Sequence, residues 1–163
     1  MSRDPAASVY AQIFADLEIA KRDLPEAWAN AVQTKGRATK NAAYALAVRI
    51  HMHRHEYDKA AEAGAVILAK KPDLNNTYAA IFEAQNTDEA IWELQYDNQA
   101  PNTVSTTFLS ASLGGTRALE VHPDIVAAYE EGDLRKAATL GFADGAEYVK
   151  KYTRRVSRDD HFI

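Results

Sequence analysis

The chain contains no cysteine. There is therefore no disulfide framework, no thiolate metal site and no cysteine nucleophile. It contains no apolar stretch long enough to cross a membrane as a helix. The N-terminal MSRDPAAS run lacks the apolar core of a signal peptide. It has no basic block either: Lys150, Lys151, Arg154, Arg155 and Arg158 come nearest, offset by Asp159 and Asp160. With a formal net charge of −4, the chain is not expected to take nucleic acid as a partner, which calls for a basic patch or stripe. What is present is ordinary for a folded chain: 163 residues, 47% hydrophobic and 26% charged. That length fits one domain, residues 1–163, or part of a larger one.

Helical periodicity dominates the first half. From Ser8, a candidate N-cap, the residues Val9, Ile13, Leu17, Ala20 and Leu24 recur at three- and four-residue steps, predicting an amphipathic helix that Pro25 ends. A polar loop containing Trp28 is expected next. Gly36 to Pro72 then reads as two alanine-rich helices joined by a short turn at Tyr57. Thr39 is the expected cap of the first, with Ala43, Leu46, Ala47 and Ile50 facing inward. In the second, Asp58 and Glu62 near the start and Lys70 and Lys71 near the end suit the helix dipole. Its expected inner face is Ala60, Ala61, Gly64, Ile67 and Leu68. Gly64 costs roughly 1 kcal/mol against alanine inside a helix, so a close helix crossing is the expected reason for it. Tyr44, Tyr57, Ala60 and Pro72 fall at offsets compatible with a tetratricopeptide unit. Residues 8–72 thus read as a helical scaffold.

Residues 73–163 read as short helices, strands and loops. Tyr78–Phe82 is a short helix or turn. Ala90–Tyr96 alternates like a strand, with Trp92, Leu94 and Tyr96 on one face and Trp92 expected in the core. Residues 97–115 read as a long loop. Pro123–Glu131 is a short helix with Pro123 in its first turn and Gly132 past its end. Asp133 then caps another, Leu134–Leu140, and Tyr148–Tyr152 is a final strand. The fold class is mainly α: a tetratricopeptide-like helical hairpin scaffold with a few short strands and long loops.

Candidate chemistry is sparse. His51, His53 and His55 alternate, and on a helix only His51 and His55 would share a face. Glu56 or Asp58 could complete a metal site, but Arg49 and Arg54 flank the cluster, and polar residues at a helix end are the preferred reading. No metal or other cofactor is assigned. Ser105, Ser110, Ser112 and His122 supply the residue types of a hydrolytic triad, yet no serine occupies a G-x-S-x-G elbow. Glu130 and Glu131 would not face one substrate, and Gly114-Gly115 lacks the context of a phosphate loop. No catalytic residue is assigned, and the chain does not read as an enzyme. Sugar rings stack on exposed aromatic faces, with polar groups fixing orientation. By its polar setting Trp28 is the candidate ligand-binding residue. Tyr44 and Tyr57 are expected to pack within the hairpin.

Taken in order, several motifs resemble the SusD/RagB family of Bacteroidetes outer-membrane lipoproteins. Tyr10, Ile13, Asp16, Leu17, Ala20, Leu24 and Pro25 resemble its Y-x-x-I-x-x-D-L-x-x-A helix ending in Leu-Pro. Gly36 to Arg49, GRATKNAAYALAVR, resembles its G-R-A-T-x-x-A-A-x-A-L-x-A-R signature, and Tyr57, Ala60, Ala61 and Ile67 match the following helix. Glu89 to Tyr96, EAIWELQY, resembles its E-x-I-[FW]-E-x-Q-[YF] strand. Pro123, Tyr129, the Gly132–Arg135 GDLR run and Lys151-Tyr152 follow in the family's order. AKKPDLNN departs from the family's short glycine-containing turn.

The resemblance implies a SusD-like fold and a surface-exposed outer-membrane protein. Such a protein binds an oligosaccharide or other nutrient and passes it to a SusC-like TonB-dependent transporter. Family members are several times longer and carry an N-terminal lipid anchor, so this chain is expected to be an internal portion, touching the membrane only through that absent anchor. Sugar contacts in the family lie on variable loops, so none is carried over. Asp16, Arg37, Asp133 and Arg135 are expected in structural ion pairs and caps. The alternative is a tetratricopeptide-like scaffold that binds a protein partner and no sugar.

Overall fold

The computed structural model describes residues 3–70, 74–97 and 99–153. The fold is mainly helical, and the chain divides into two compact units, Met1–Asp73 with Asp88–Trp92, and Leu74–Thr87 with Glu93–Ile163.

The first unit is built on α1 (Ala6–Asp23), α2 (Ala31–Gly36), α3 (Lys40–His53) and α4 (Tyr57–Leu68). Helix α1 starts before the predicted cap: the Pro5 carbonyl accepts from the Ser8 and Val9 amides, so Ser8 lies inside the helix. It ends where Pro25 forces Leu24 into extended backbone. Helix α2 was expected to be loop. Asn30 caps it by accepting from Gln33 N–H at 2.9 Å, and the Asn30…Gln33 spacing is itself a helix-start signal. Thr39 caps α3 as predicted, accepting from Ala42 N–H at 3.3 Å.

Helices α1, α3 and α4 pack around Leu17, Ala43, Ala47 and Ala63, with Ile13, Phe14 and Val48 against them. The inner faces differ in part from those predicted. Leu46 on α3 is exposed. Helix α4 buries Ala60, Ala63 and Ile67, while Ala61 and Leu68 face outward. The buried set follows three- and four-residue steps, which bring Ala63 to α3 in place of Ala61. Gly64 does not mark a tight crossing: a Cβ there would meet Val48 Cγ2 at 3.8 Å, an ordinary contact. Tyr57, expected in the hairpin core, is exposed. Lys71 and Pro72 lie outside the described residues.

The second unit holds α5 (Ala80–Glu83), α6 (Val104–Phe108), a 3-10 turn at Ala111–Leu113, α7 (Pro123–Ala127) and α8 (Leu134–Thr139). They are followed by an antiparallel hairpin of β1 (Leu140–Ala143) and β2 (Ala146–Val149). In place of the long loop predicted over 97–115, α6 and the 3-10 turn form a tight knot. Thr116 and Arg117 amides return to the Thr106 and Leu109 carbonyls at 2.7 and 3.0 Å. The chain approaches itself so closely that a Cβ on Gly115 would lie 2.1 Å from the Leu109 carbonyl oxygen. Helix α7 carries Pro123 at its start and is shorter than predicted. Asp133 caps α8, accepting from Arg135 N–H at 2.9 Å.

The expected final strand is the second arm of the hairpin and lies earlier, with Leu140 opposite Val149 and Ala143 opposite Ala146. Asp144 and Gly145 make the turn with φ of 51° and 77°, the paired left-handed conformation that an Asp-Gly dipeptide favours. Residues 90–96 form no strand, only an isolated bridge at Leu94. Trp92 and Leu94 are exposed and Glu93 is buried, the reverse of the expected facing. The cause is polar: Glu93 Oε2 accepts the Asn86 backbone N–H at 2.8 Å, and the Gln95 and Asn86 amides pair with each other. These bonds hold Glu93 and Gln95 inward and leave the tryptophan outside, while Glu93 Oε1 is buried without a hydrogen-bond partner.

Candidate functional site

Trp28 sits in the turn between α1 and α2, in the first unit. Its backbone N–H donates to Thr34 Oγ1 at 2.9 Å, and its indole N–H donates to the Ala38 carbonyl at 3.0 Å. The Arg37 guanidinium lies over the ring, 5.1 Å from its centroid. Trp28 is 38% exposed, but the one polar atom of its ring is spent within the protein and one face carries a cation. Trp28 and Arg37 thus brace the passage from α2 to the Thr39 cap.

On the same helix α2, the Lys35 ammonium donates to the Asp88 carbonyl at 3.2 Å and to the Ala90 carbonyl. This clamp fixes the 88–92 segment within the first unit and presents Trp92 outward, 51% exposed. Trp92 was expected in the core. An apolar ring on an alternating segment favours that expectation; the inward pull of Glu93 and Gln95 was the competing signal.

The three histidines do not converge. Helix α3 ends at His53, and His55 follows in the left-handed conformation with φ of 59°, so His51 and His55 share no helix face. His51 stacks on Phe14 with centroids 4.7 Å apart, and its Nδ1 lies 2.7 Å from Glu56 Oε2. His55 Nδ1 lies 2.9 Å from the Tyr57 hydroxyl. Glu56 is thereby committed to the turn. Arg54 binds its Oε1 at 2.8 Å. That hydrogen bond, with the one from His51, holds its carboxyl at about 2, well below the ordinary glutamate value. The Arg54 guanidinium in turn lies over the Tyr10 ring at 4.5 Å. Among the described residues, no three His, Cys, Asp or Glu side chains gather to hold a metal ion.

The serines and His122 take separate structural places. Ser105 and Ser110 are fully buried, Ser110 accepting from Arg117 Nη2. His122 precedes α7 and accepts from the Asp124 N–H at 3.3 Å. Asp144 accepts from the Ser112 N–H at 2.9 Å, a bond that holds its carboxyl below the usual aspartate range and ties the hairpin tip to the 3-10 turn. Asp133 and Arg135 pair at 2.6 Å. Asp16 accepts from Gln12 at 2.7 Å.

Two open concavities lie in the second unit. One, of about 410 Å³, is lined by Phe82, Leu134, Ala138 and Lys150. The other, of about 570 Å³, is lined by Val121, Val126, Lys136 and Glu147. Charged side chains also line them, Glu83 in the first and Glu120 in the second. Compared with models of protein families, the chain matches none, and no curated protein matches it.

Proposed function

We propose that this chain is part of a SusD-like protein that binds glycan or another nutrient at the cell surface and delivers it to a SusC-like TonB-dependent transporter, without catalysis. One observation carries the reading: the ordered series of motifs from Tyr10 to Tyr152. Each motif alone is short, and their order along most of the chain is what makes the set specific. The roles of the matching residues support it. Thr39 and Asp133 cap helices, and Glu93 and Gln95 organise the turn at Asn86. These are places where one side chain fixes a local geometry that a fold must repeat.

The tetratricopeptide-like scaffold is the second reading. It is favoured by the apolar residues that α4 leaves uncovered, Tyr57 and Leu68, since a helical repeat buries such a face against a neighbour. Electrophoresis through native gels containing starch, xylan, α-mannan or pectin separates the two. A glycan binder is slowed in at least one gel and releases no oligosaccharide on long incubation. Unchanged mobility in all four would remove the glycan reading and leave the protein-binding one.

A further inference from the structure

The two concavities of the second unit differ in what their charged side chains already do. Along the smaller one, the Lys150 ammonium donates to the Ala137 carbonyl at 3.0 Å, and the Lys151 ammonium lies over the Phe82 ring, 5.0 Å from its centroid. The larger one, of about 570 Å³, is lined by Glu120 from the segment before α7, Lys136 from α8 and Glu147 from β2. None of these three side chains makes a hydrogen bond or an ion pair among the described residues. Lys136 and Glu147 are nonetheless half-buried. A charge partly withdrawn from water ordinarily regains a partner in return, yet these two line one space without pairing with each other.

Val121, Val126 and Ala146 add apolar wall to the same concavity. That volume and that mixture, an apolar wall with a few polar groups, are those of a small-ligand site. Its walls are tied together. The Tyr129 hydroxyl and Thr139 Oγ1 lie 2.8 Å apart at the end of α8, and the Lys150 N–H donates to the Thr139 carbonyl at 2.7 Å, joining the hairpin to that helix. A backbone so held has little left to order when a ligand arrives. The charges then state what the ligand must carry. The Lys136 ammonium opposes a metal ion, and a bare ion would leave the apolar wall uncovered. An organic ligand that answers the lining carries two ammonium groups, one carboxylate and an aliphatic stem.

We infer that this concavity binds a diamino monocarboxylic acid of the lysine kind. Glu120 and Glu147 accept from its two ammonium groups, Lys136 donates to its carboxylate, and its methylene stem covers the valines. Such a site owes nothing to the glycan reading: Glu120, Lys136 and Glu147 lie outside the motifs that carry that reading.

Calorimetric titration of the full chain with free L-lysine, norleucine, cadaverine and Nα-acetyl-lysine amide tests it. Norleucine lacks the second ammonium, cadaverine lacks the carboxylate, and the blocked lysine keeps only its side-chain charge. Saturable binding of L-lysine is expected, each of the other three being weaker by about fivefold or more. Glu147→Gln is expected to weaken L-lysine by about tenfold, and the more exposed Glu120→Gln by about threefold. Lys136→Met gives the sharpest sign. It should weaken L-lysine by about tenfold yet leave cadaverine unchanged or bound more tightly, since a repelling charge has gone.

Circular-dichroism melts of every variant separate loss of binding from loss of fold. No saturable heat with L-lysine up to about 10 mM would overturn the site. So would cadaverine binding the wild type as tightly as L-lysine, or unchanged L-lysine affinity in folded Glu147→Gln and Lys136→Met. Each of these leaves the glycan reading to the gels. Conversely, L-lysine binding with the expected variant pattern upholds the site even where mobility is unchanged in all four gels.

Discussion

His55 is the one residue in the α3–α4 turn that pays a conformational penalty. Its N–H returns to the Met52 carbonyl at 3.0 Å and the Glu56 N–H to the His51 carbonyl at 2.9 Å, the paired bonds that close a helix with a left-handed residue. Glycine is the usual occupant of that position. We expect His55→Gly to stabilise the protein by about 1 kcal/mol, the relief of a left-handed side chain, less whatever the exposed bond to Tyr57 contributes. Gly64 is the converse case, a glycine where none is required. With 3.8 Å to the nearest Val48 atom, Gly64→Ala is expected to raise stability by roughly 1 kcal/mol. Denaturant titrations of both variants check this, and a loss of stability at Gly64 would show that α3 and α4 approach more tightly than described.

At the scale of elements, the α3–α4 turn is held by charge. The Glu56 carboxyl titrates at about 2 in the folded protein, through Arg54 first and His51 second, against about 4.3 in an unfolded chain. A depressed carboxyl stabilises the fold above its unfolded value, and that stabilisation drains away as pH falls toward the folded one. Stability measured from about pH 5 down to about pH 2 should therefore fall less steeply in Glu56→Gln than in the wild type. An identical slope would mean that the carboxylate contributes nothing to the turn. The elements themselves were legible where one local cause sufficed: Pro25 stopping α1, Thr39 starting α3, Asp133 starting α8. Helix α2, expected as loop, and the β-hairpin, of which only a final strand was expected, did carry signals in Asn30…Gln33 and Asp144-Gly145, but each is only a few residues long and lies beside polar sequence, so neither element was read. Residues 90–96 were not legible. Their pattern specifies two faces without saying which is inner, and that choice depends on Asn86, which the pattern does not include.

For the molecule as a whole, the first unit contains both short-range and very long-range ties. Helices α3 and α4 meet across a turn of three residues, 54–56, and such a hairpin can form early because little chain entropy is lost in closing it. The Lys35 clamp is different: its two acceptors lie 53 and 55 residues further along the chain. Loop closure over that span precedes any return from the contact, so the clamp is expected to form after the folding barrier has been crossed. Lys35→Met should then quicken unfolding and leave the refolding rate nearly unchanged, as read from the two arms of a chevron plot. A slowed refolding arm would place the clamp in the folding nucleus instead. With a late clamp, the segment bearing Trp92 is the last part of its unit to arrive and the first to leave. How long that surface persists is then set by a single ammonium group on a six-residue helix.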